Sequence, residues 1–223
     1  MDFRPLYDAD RRLFHISYDI TNDKLTSGCY DLLASEAQLM SYICVARGEV
    51  PRKHWRALGR SLISYRGWSG MLSWTGTAFE YFMPILLLPV FESSALYESL
   101  LFSVFCQRVY AKKKGLPCWG LSESAFYAFD PSLVYRYKAH GVPLLGLKRG
   151  LGKDLVVSPY SSFLSLDTVR SASIRNIRQL MKLGAEGELG MYEALDFTPS
   201  RRVSSKSFEL VRTFMAHHLG MSI

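Results

Sequence analysis

Residues 93–114, SSALYESLLFSVFCQRVYAKKK, read as the clearest long helix of the chain and set the expectation for the rest. Lys112, Lys113 and Lys114 close it just before Gly115, where cations complement the helix dipole and a glycine can end the turn. Working outward, residues from about 27 to 47 carry a second helical pattern that ends at Gly48, with Pro51 beyond it. Residues 77–88 look helical too, as do 170–183, with basic residues on the outer face, and 208–219. Residues 12–20 (RLFHISYDI) alternate like a strand before a turn at Thr21-Asn22-Asp23. Residues 61–74 read as short strands or an ordered loop, 118–127 as a short extended segment, and the region of Gly141, Gly146, Gly150 and Gly152 as loop. Without linker or repeat, this pattern suggests helices that scaffold a site built from long loops.

Composition narrows the function classes. At 48% hydrophobic and 21% charged residues the chain is an ordinary packed protein rather than a disordered one. The net charge of +7 would suit nucleic acid if it were clustered, but the one cluster, Lys112–Lys114, is accounted for by its helix end. No nucleic-acid partner is expected. The four cysteines form no CxxC pair, so no metal site is expected, and free thiols are the default. The start is polar rather than that of a signal peptide, and the longest apolar run, 81–91, is too short for a bilayer and holds Pro84 and Pro89. The chain by itself reads as soluble. Residues 150–154 (GLGKD) resemble a phosphate loop but lack the hydroxyl residue after Lys153, and Leu155 stands where a dinucleotide fingerprint needs glycine, so no cofactor is expected. Ser122 has no GxSxG elbow.

The carboxylates are more informative, because glycoside chemistry needs one acid that donates a proton and one that is ionised. In the pattern YDLLASEAQLM (30–40), Glu36 interrupts a stripe of Leu32, Leu39, Met40 and Ile43. Burial there would raise its pKa, as suits a general acid; a rim position reaching water is equally compatible. Glu123, between Ser122 and Ser124 and among aromatics, is expected to be hydrogen-bonded and kept ionised. Glu80 closes a capping box with Thr77. Glu193 and Asp196 are either a second pair of site acids or a polar helix end. The adjacent rings of His217 and His218 point about 100° apart on a helix and cannot share a metal; one buried and one exposed is the simpler reading, with His217 kept as a candidate to line a site. Trp68, Trp74, Trp119, Tyr127 and Tyr192 are candidates for stacking on sugar rings, against plain core packing.

At these residues the chain resembles the glycoamylase-like domain of bacterial cyclic β-1,2-glucan synthases. The matching stretches are MDFRPLYDADRRLFHISYD, YDLLASEAQL, SWTGTAFEYFMP, GLSESAF, YRYKAHGVPLLGLKRGLGKDLVVSPY, GMYEALDFTPSR and FMAHHLGMS, in the family's order from residue 2 to residue 222. The resemblance implies an all-α, (α/α)6 toroid-type domain over 1–223, with short strands and long site-forming loops. It implies action on β-1,2-glucan with retention and transfer to an acceptor hydroxyl, which can be the chain's own far end, giving a cyclic product. Related proteins are hydrolytic endo-β-1,2-glucanases. The family's site acids fall on Glu36 and Glu123, with Glu80 a third, and Glu123 is taken as nucleophile and Glu36 as acid/base. Such a ring needs about twelve helices, and only five or six are counted in this chain. The last residues, Met221-Ser222-Ile223, also stop inside a motif that continues in relatives. The expectation is therefore part of the ring, within a larger synthase at the cytoplasmic side of the inner membrane, to which it would be tied only through other parts of that protein. A non-catalytic glucan-binding fragment is the rival reading.

Overall fold

The computed structural model describes residues 2–203 and 205–223. In chain order the strands are β1 (Tyr7–Asp8), β2 (Leu13–His15), β3 (Tyr18–Asp19), β4 (Lys24–Leu25), β5 (Cys29–Tyr30), β6 (Leu62–Tyr65), β7 (Trp68–Met71), β8 (Ser124–Phe129), β9 (Tyr135–Lys138), β10 (Val156–Val157), β11 (Glu186–Gly187), β12 (Gly190–Met191), β13 (Ala194–Asp196) and β14 (Glu209–Val211). The helices are α1 (Gln38–Ala46), α2 (Lys53–Ala57), α3 (Ala78–Phe82), α4 (Ala95–Lys113), α5 (Tyr160–Leu164), α6 (Leu166–Lys182) and α7 (Ala216–Gly220).

The long helix forms where its sequence places it. The Ser94 hydroxyl accepts the Tyr97 N–H at 3.1 Å, Glu98 lies in the first turn, and Lys112 and Lys113 lie in the last. Gly115 then takes the left-handed conformation, with φ of 68°. Helix α4 is the axis of the main core: Leu100, Phe102, Val104 and Cys106 pack with Met71, Phe82, Leu145 and Tyr160. The β6–β7 hairpin lies directly on it, and a Cβ at Gly70 would sit 2.5 Å from the Phe102 ring, so glycine there permits the contact. A second cluster under α6 joins Leu121, Val157, Leu180 and Leu195.

The domain is not all-α. Its helices are joined by hairpins and small antiparallel sheets, ordered β1-β2-β5 and β10-β13-β14, with two-stranded pairs β3-β4, β6-β7, β8-β9 and β11-β12. Three expected helices shorten for identifiable reasons. The 27–47 pattern begins as strand, because Cys29 and Tyr30 pair with His15 and Phe14, and helix starts only at Gln38. The 77–88 helix gives way to a 3₁₀ turn, Pro84–Leu86, since Pro84 has no N–H to continue the ladder. The 208–219 segment splits into β14, paired with β13, and the short α7. Tertiary pairing overrides helical periodicity in the first and last of these. The 61–74 stretch is a tight hairpin whose two turn residues, Arg66 and Gly67, both have positive φ. Among the described residues, no helix is long and apolar enough to cross a membrane.

Candidate active site

Three glutamates from separate parts of the chain line one cavity of ≈ 450 Å³, together with Ile16, Tyr30, Asp31, Trp74 and Thr75. Glu80 enters on the first turn of α3. Thr77 and Glu80 form the capping box in full: the Thr77 hydroxyl accepts the Glu80 N–H and the Glu80 carboxylate accepts the Thr77 N–H. The carboxylate does more than cap. Its Oε2 accepts the Ser73 hydroxyl at 2.8 Å and the Thr75 hydroxyl at 2.6 Å, and the Thr75 N–H reaches both oxygens. Glu80 is 4% exposed and rigidly held.

Glu123 lies just before β8. The start of α3 is tied to this stretch, because Leu121 O accepts the Ala78 N–H at 3.2 Å and Ser122 Oγ accepts the Phe79 N–H at 3.0 Å. That bond, with a second to the Tyr160 hydroxyl at 2.7 Å, is where Ser122 is spent. Ser124 Oγ is buried without a partner among the described residues. The expected clamp of two hydroxyls on the Glu123 carboxylate is therefore not what holds it. The group that favours its ionised form is instead Tyr137 on β9, which no local sequence pattern singles out. Burial, then the charges of Glu36 and Glu80, push the Glu123 pKa up to about 7, with Tyr137 and Lys148 acting the other way.

Glu36 occupies a turn before α1 rather than an apolar helical stripe. Parallel bridging of Leu32 to Gly59 fixes the approach of that turn. The carboxylate is half-buried, with the Ser35 hydroxyl at 3.3 Å. Burial raises its pKa first, and the Glu80 charge adds to that; its own N–H and Ser35 partly offset them.

The aromatic candidates separate. Trp74 lines the glutamate cavity and is 55% exposed, so its face is free. Trp68 instead stacks on Phe105, with centroids 5.3 Å apart, on the β6–β7 hairpin. Trp119 is core, packed in the main cluster with its N–H accepted by Asn176 Oδ1. Tyr127 packs on Phe129 and Tyr135, and Tyr192 on Phe214 beside Arg212. None of these four lines the glutamate cavity. Glu193 and Asp196 are not helix-end residues: both are buried at β13, Asp196 paired with Arg201. His217 is exposed and His218 buried, and neither lines the cavity.

The architecture is found in other solved proteins. The chain superposes with a TM-score of 0.63 on an endo-β-1,2-glucanase from Chitinophaga pinensis crystallised with sophorotriose and glucose, at 16% identity, over 95% of this chain and 52% of that one. A structure titled "putative glucoamylase" from Bacteroides fragilis NCTC 9343 gives 0.65 at 18% identity, over 99% and 53%. The fold is thus that of about half of each of these proteins. Residues 29–223 match the family model Glycoamylase, described as "Putative glucoamylase", and the chain belongs to that family. It is also 40% identical, over all 223 residues, to the cyclic β-(1,2)-glucan synthase NdvB of Rhizobium meliloti (strain 1021), of whose length it spans 8%.

Proposed function

We propose that this chain is a β-1,2-glucan-acting domain that transfers glucan with retention of configuration, Glu123 serving as nucleophile and Glu36 as acid/base. The observation that carries the reading is the convergence of Glu36, Glu80 and Glu123 on one cavity with an open tryptophan face. Burial and the charges of Glu36 and Glu80 raise Glu123 to about 7, and burial and the Glu80 charge raise Glu36, so this pair retains a proton near neutrality, as acid catalysis requires. Glu36 gives that proton to the glycosidic oxygen as Glu123 attacks the anomeric carbon. The departing chain leaves with the proton, and the sugar is left bonded to the Glu123 oxygen. An acceptor hydroxyl then loses its proton to Glu36 and attacks the same carbon, releasing Glu123. Glu123 is the more strongly raised of the two, to about 7, although Tyr137 and Lys148 favour its ionised form, so the assignment of roles rests on the family resemblance and is put to the pH profile. The likeness to the cyclic β-(1,2)-glucan synthase NdvB supports transfer within a larger synthase. Hydrolysis, with water as acceptor, is favoured by the likeness to the endo-β-1,2-glucanase.

Incubation of the chain with linear β-1,2-glucan, followed by NMR of the products, tests the proposal. Longer or cyclic glucans without new reducing ends support transfer, and fresh β-anomeric ends support retaining hydrolysis. Initial α-anomeric ends, or binding without any product, overturn the retaining mechanism. Trp74→Ala should raise KM about three- to tenfold, from the loss of one stacking face, with Tm unchanged because the ring is exposed.

A further inference from the structure

Behind Glu123 lies a buried acid–imidazole pair that the proposed chemistry does not use. Glu193 is 4% exposed and His218 2%. His218 Nδ1 lies 3.0 Å from each Glu193 oxygen, and no described residue reaches Nε2. A carboxylate only accepts, so Nδ1 carries the proton and donates it to Glu193. Removing two such groups from water is costly and is no efficient way to stabilise a core.

What the pair touches gives it a purpose. Glu193 Oε1 also accepts the N–H of Ala125, two residues beyond Glu123, at 3.1 Å. The His218 ring lies flat on Tyr160, with centroids 3.8 Å apart and planes within 12°. The Tyr160 hydroxyl in turn donates to the main-chain oxygen of Glu123 at 3.0 Å. The His218 ring also lies 6.2 Å, between centroids, from that of Tyr137, which favours the ionised form of Glu123. Tyr137 itself pairs with Ala125 across β8 and β9. Two anchors of Glu123, the following backbone and its own carbonyl, thus meet at one dyad, with Tyr137 beside it.

We infer that Glu193 and His218 are positioning residues for Glu123, an inference that rests on the nucleophile role given above. Neither lines the glutamate cavity, so they act through Ala125, Tyr160 and Tyr137. The charged and titratable groups acting on Glu123 are Glu36, Glu80, Tyr137 and Lys148; those in contact with His218 are Glu193, His217, Tyr137 and Tyr160.

Two substitutions separate the functions of the ring. His218→Phe keeps a flat ring for Tyr160 but has no N–H for Glu193. His218→Asn loses the ring but keeps an amide N–H near the Nδ1 position. His218→Phe should lower kcat roughly tenfold to a hundredfold, the cost of a small misplacement at the reacting atom, with KM within about twofold. It should also move the titration of Glu123 upward as Tyr137 shifts away and its lowering influence weakens, read by NMR of ¹³C-labelled glutamate carboxyls assigned with Glu123→Gln. His218→Asn should restore a large part of both. Wild-type kcat and an unmoved Glu123 titration in His218→Phe, with only Tm lowered, would reduce the dyad to scaffolding. An Asn variant no better than Phe overturns the role of the N–H. Where the Phe variant does not fold, Glu193→Gln, with the same two readouts, replaces it. The titration needs no turnover, so a chain inactive on glucan defeats the proposed function without deciding the placement of Glu123.

Discussion

Replacing Glu123 by glutamine is expected to abolish turnover of β-1,2-glucan, by on the order of a thousandfold or more, while Tm at neutral pH stays level or rises. The amide preserves shape and hydrogen-bonding capacity, but it cannot form the glycosyl bond of a retaining mechanism. The stability half of the expectation follows from the sign of the pKa shift. Glu123 is raised from 4.5 to about 7 on folding, so between those values the native state binds more protons than the unfolded chain. The stability this contributes is present at low pH and is lost as pH rises through 7. Removing the carboxyl therefore removes a penalty, the pattern of a residue kept for chemistry. The same shift fixes the pH profile: a nucleophile must be ionised, so kcat/KM should rise with pH through about 7. A profile that falls there instead would assign the proton, and the acid role, to Glu123. The role assignment has an independent check, because azide should rescue Glu123→Ala by giving an α-glucosyl azide and Glu36→Ala by giving the β-anomer. A fully active Glu123→Gln enzyme would sink the mechanism.

How far this site could be read from residues alone depended on whether the signal was local. The capping box Thr77–Glu80 and the helix closed by Lys112–Lys114 and Gly115 are rules of a few adjacent residues, and both are present as expected. Glu36 was picked out by a helical stripe that does not exist, since β5 pairs with β2 and takes up the first part of the pattern. Its place in the cavity was indicated by the family resemblance and not by periodicity. Tyr137 sits 14 residues beyond Glu123 on a paired strand, and Lys148 in a loop. No local rule connects either to a carboxylate. His218 lost to His217 because periodicity says that two adjacent rings diverge but not which one turns inward. The 61–74 hairpin and the extended start of β8 were anticipated, but β10 to β14 were missed for a related reason: strands of two or three residues are too short for alternation to show.

Glu80 carries the largest expected effect on stability. As one end of a capping box alone, Glu80→Gln would be nearly silent, because glutamine serves at that position too. The surroundings say otherwise. Hydroxyls of Ser73, Thr75 and Thr77 and the N–H groups of Thr75 and Thr77 all converge on this carboxylate, most of them on Oε2. A glutamine can place its carbonyl oxygen there, but its NH2 then replaces Oε1 and faces the Thr75 N–H, donor against donor. That single conflict should cost about 1–3 kcal/mol, and Glu80→Ala, which orphans all the donors, about 3–5 kcal/mol. For a domain of this size these become losses of roughly 2–12 °C and 6–20 °C in Tm, measurable by calorimetry. The substitution also has an electrostatic consequence that scaffolding alone would not produce. The Glu80 charge helps to hold both Glu36 and Glu123 above the usual carboxylate range, so its removal should carry the rising limb of kcat/KM to lower pH. A Glu80→Gln protein with unchanged Tm would mean that the donors around the carboxylate are met by other groups. A limb that stays at about 7 would mean that burial and Glu36 alone set the proton affinity of Glu123.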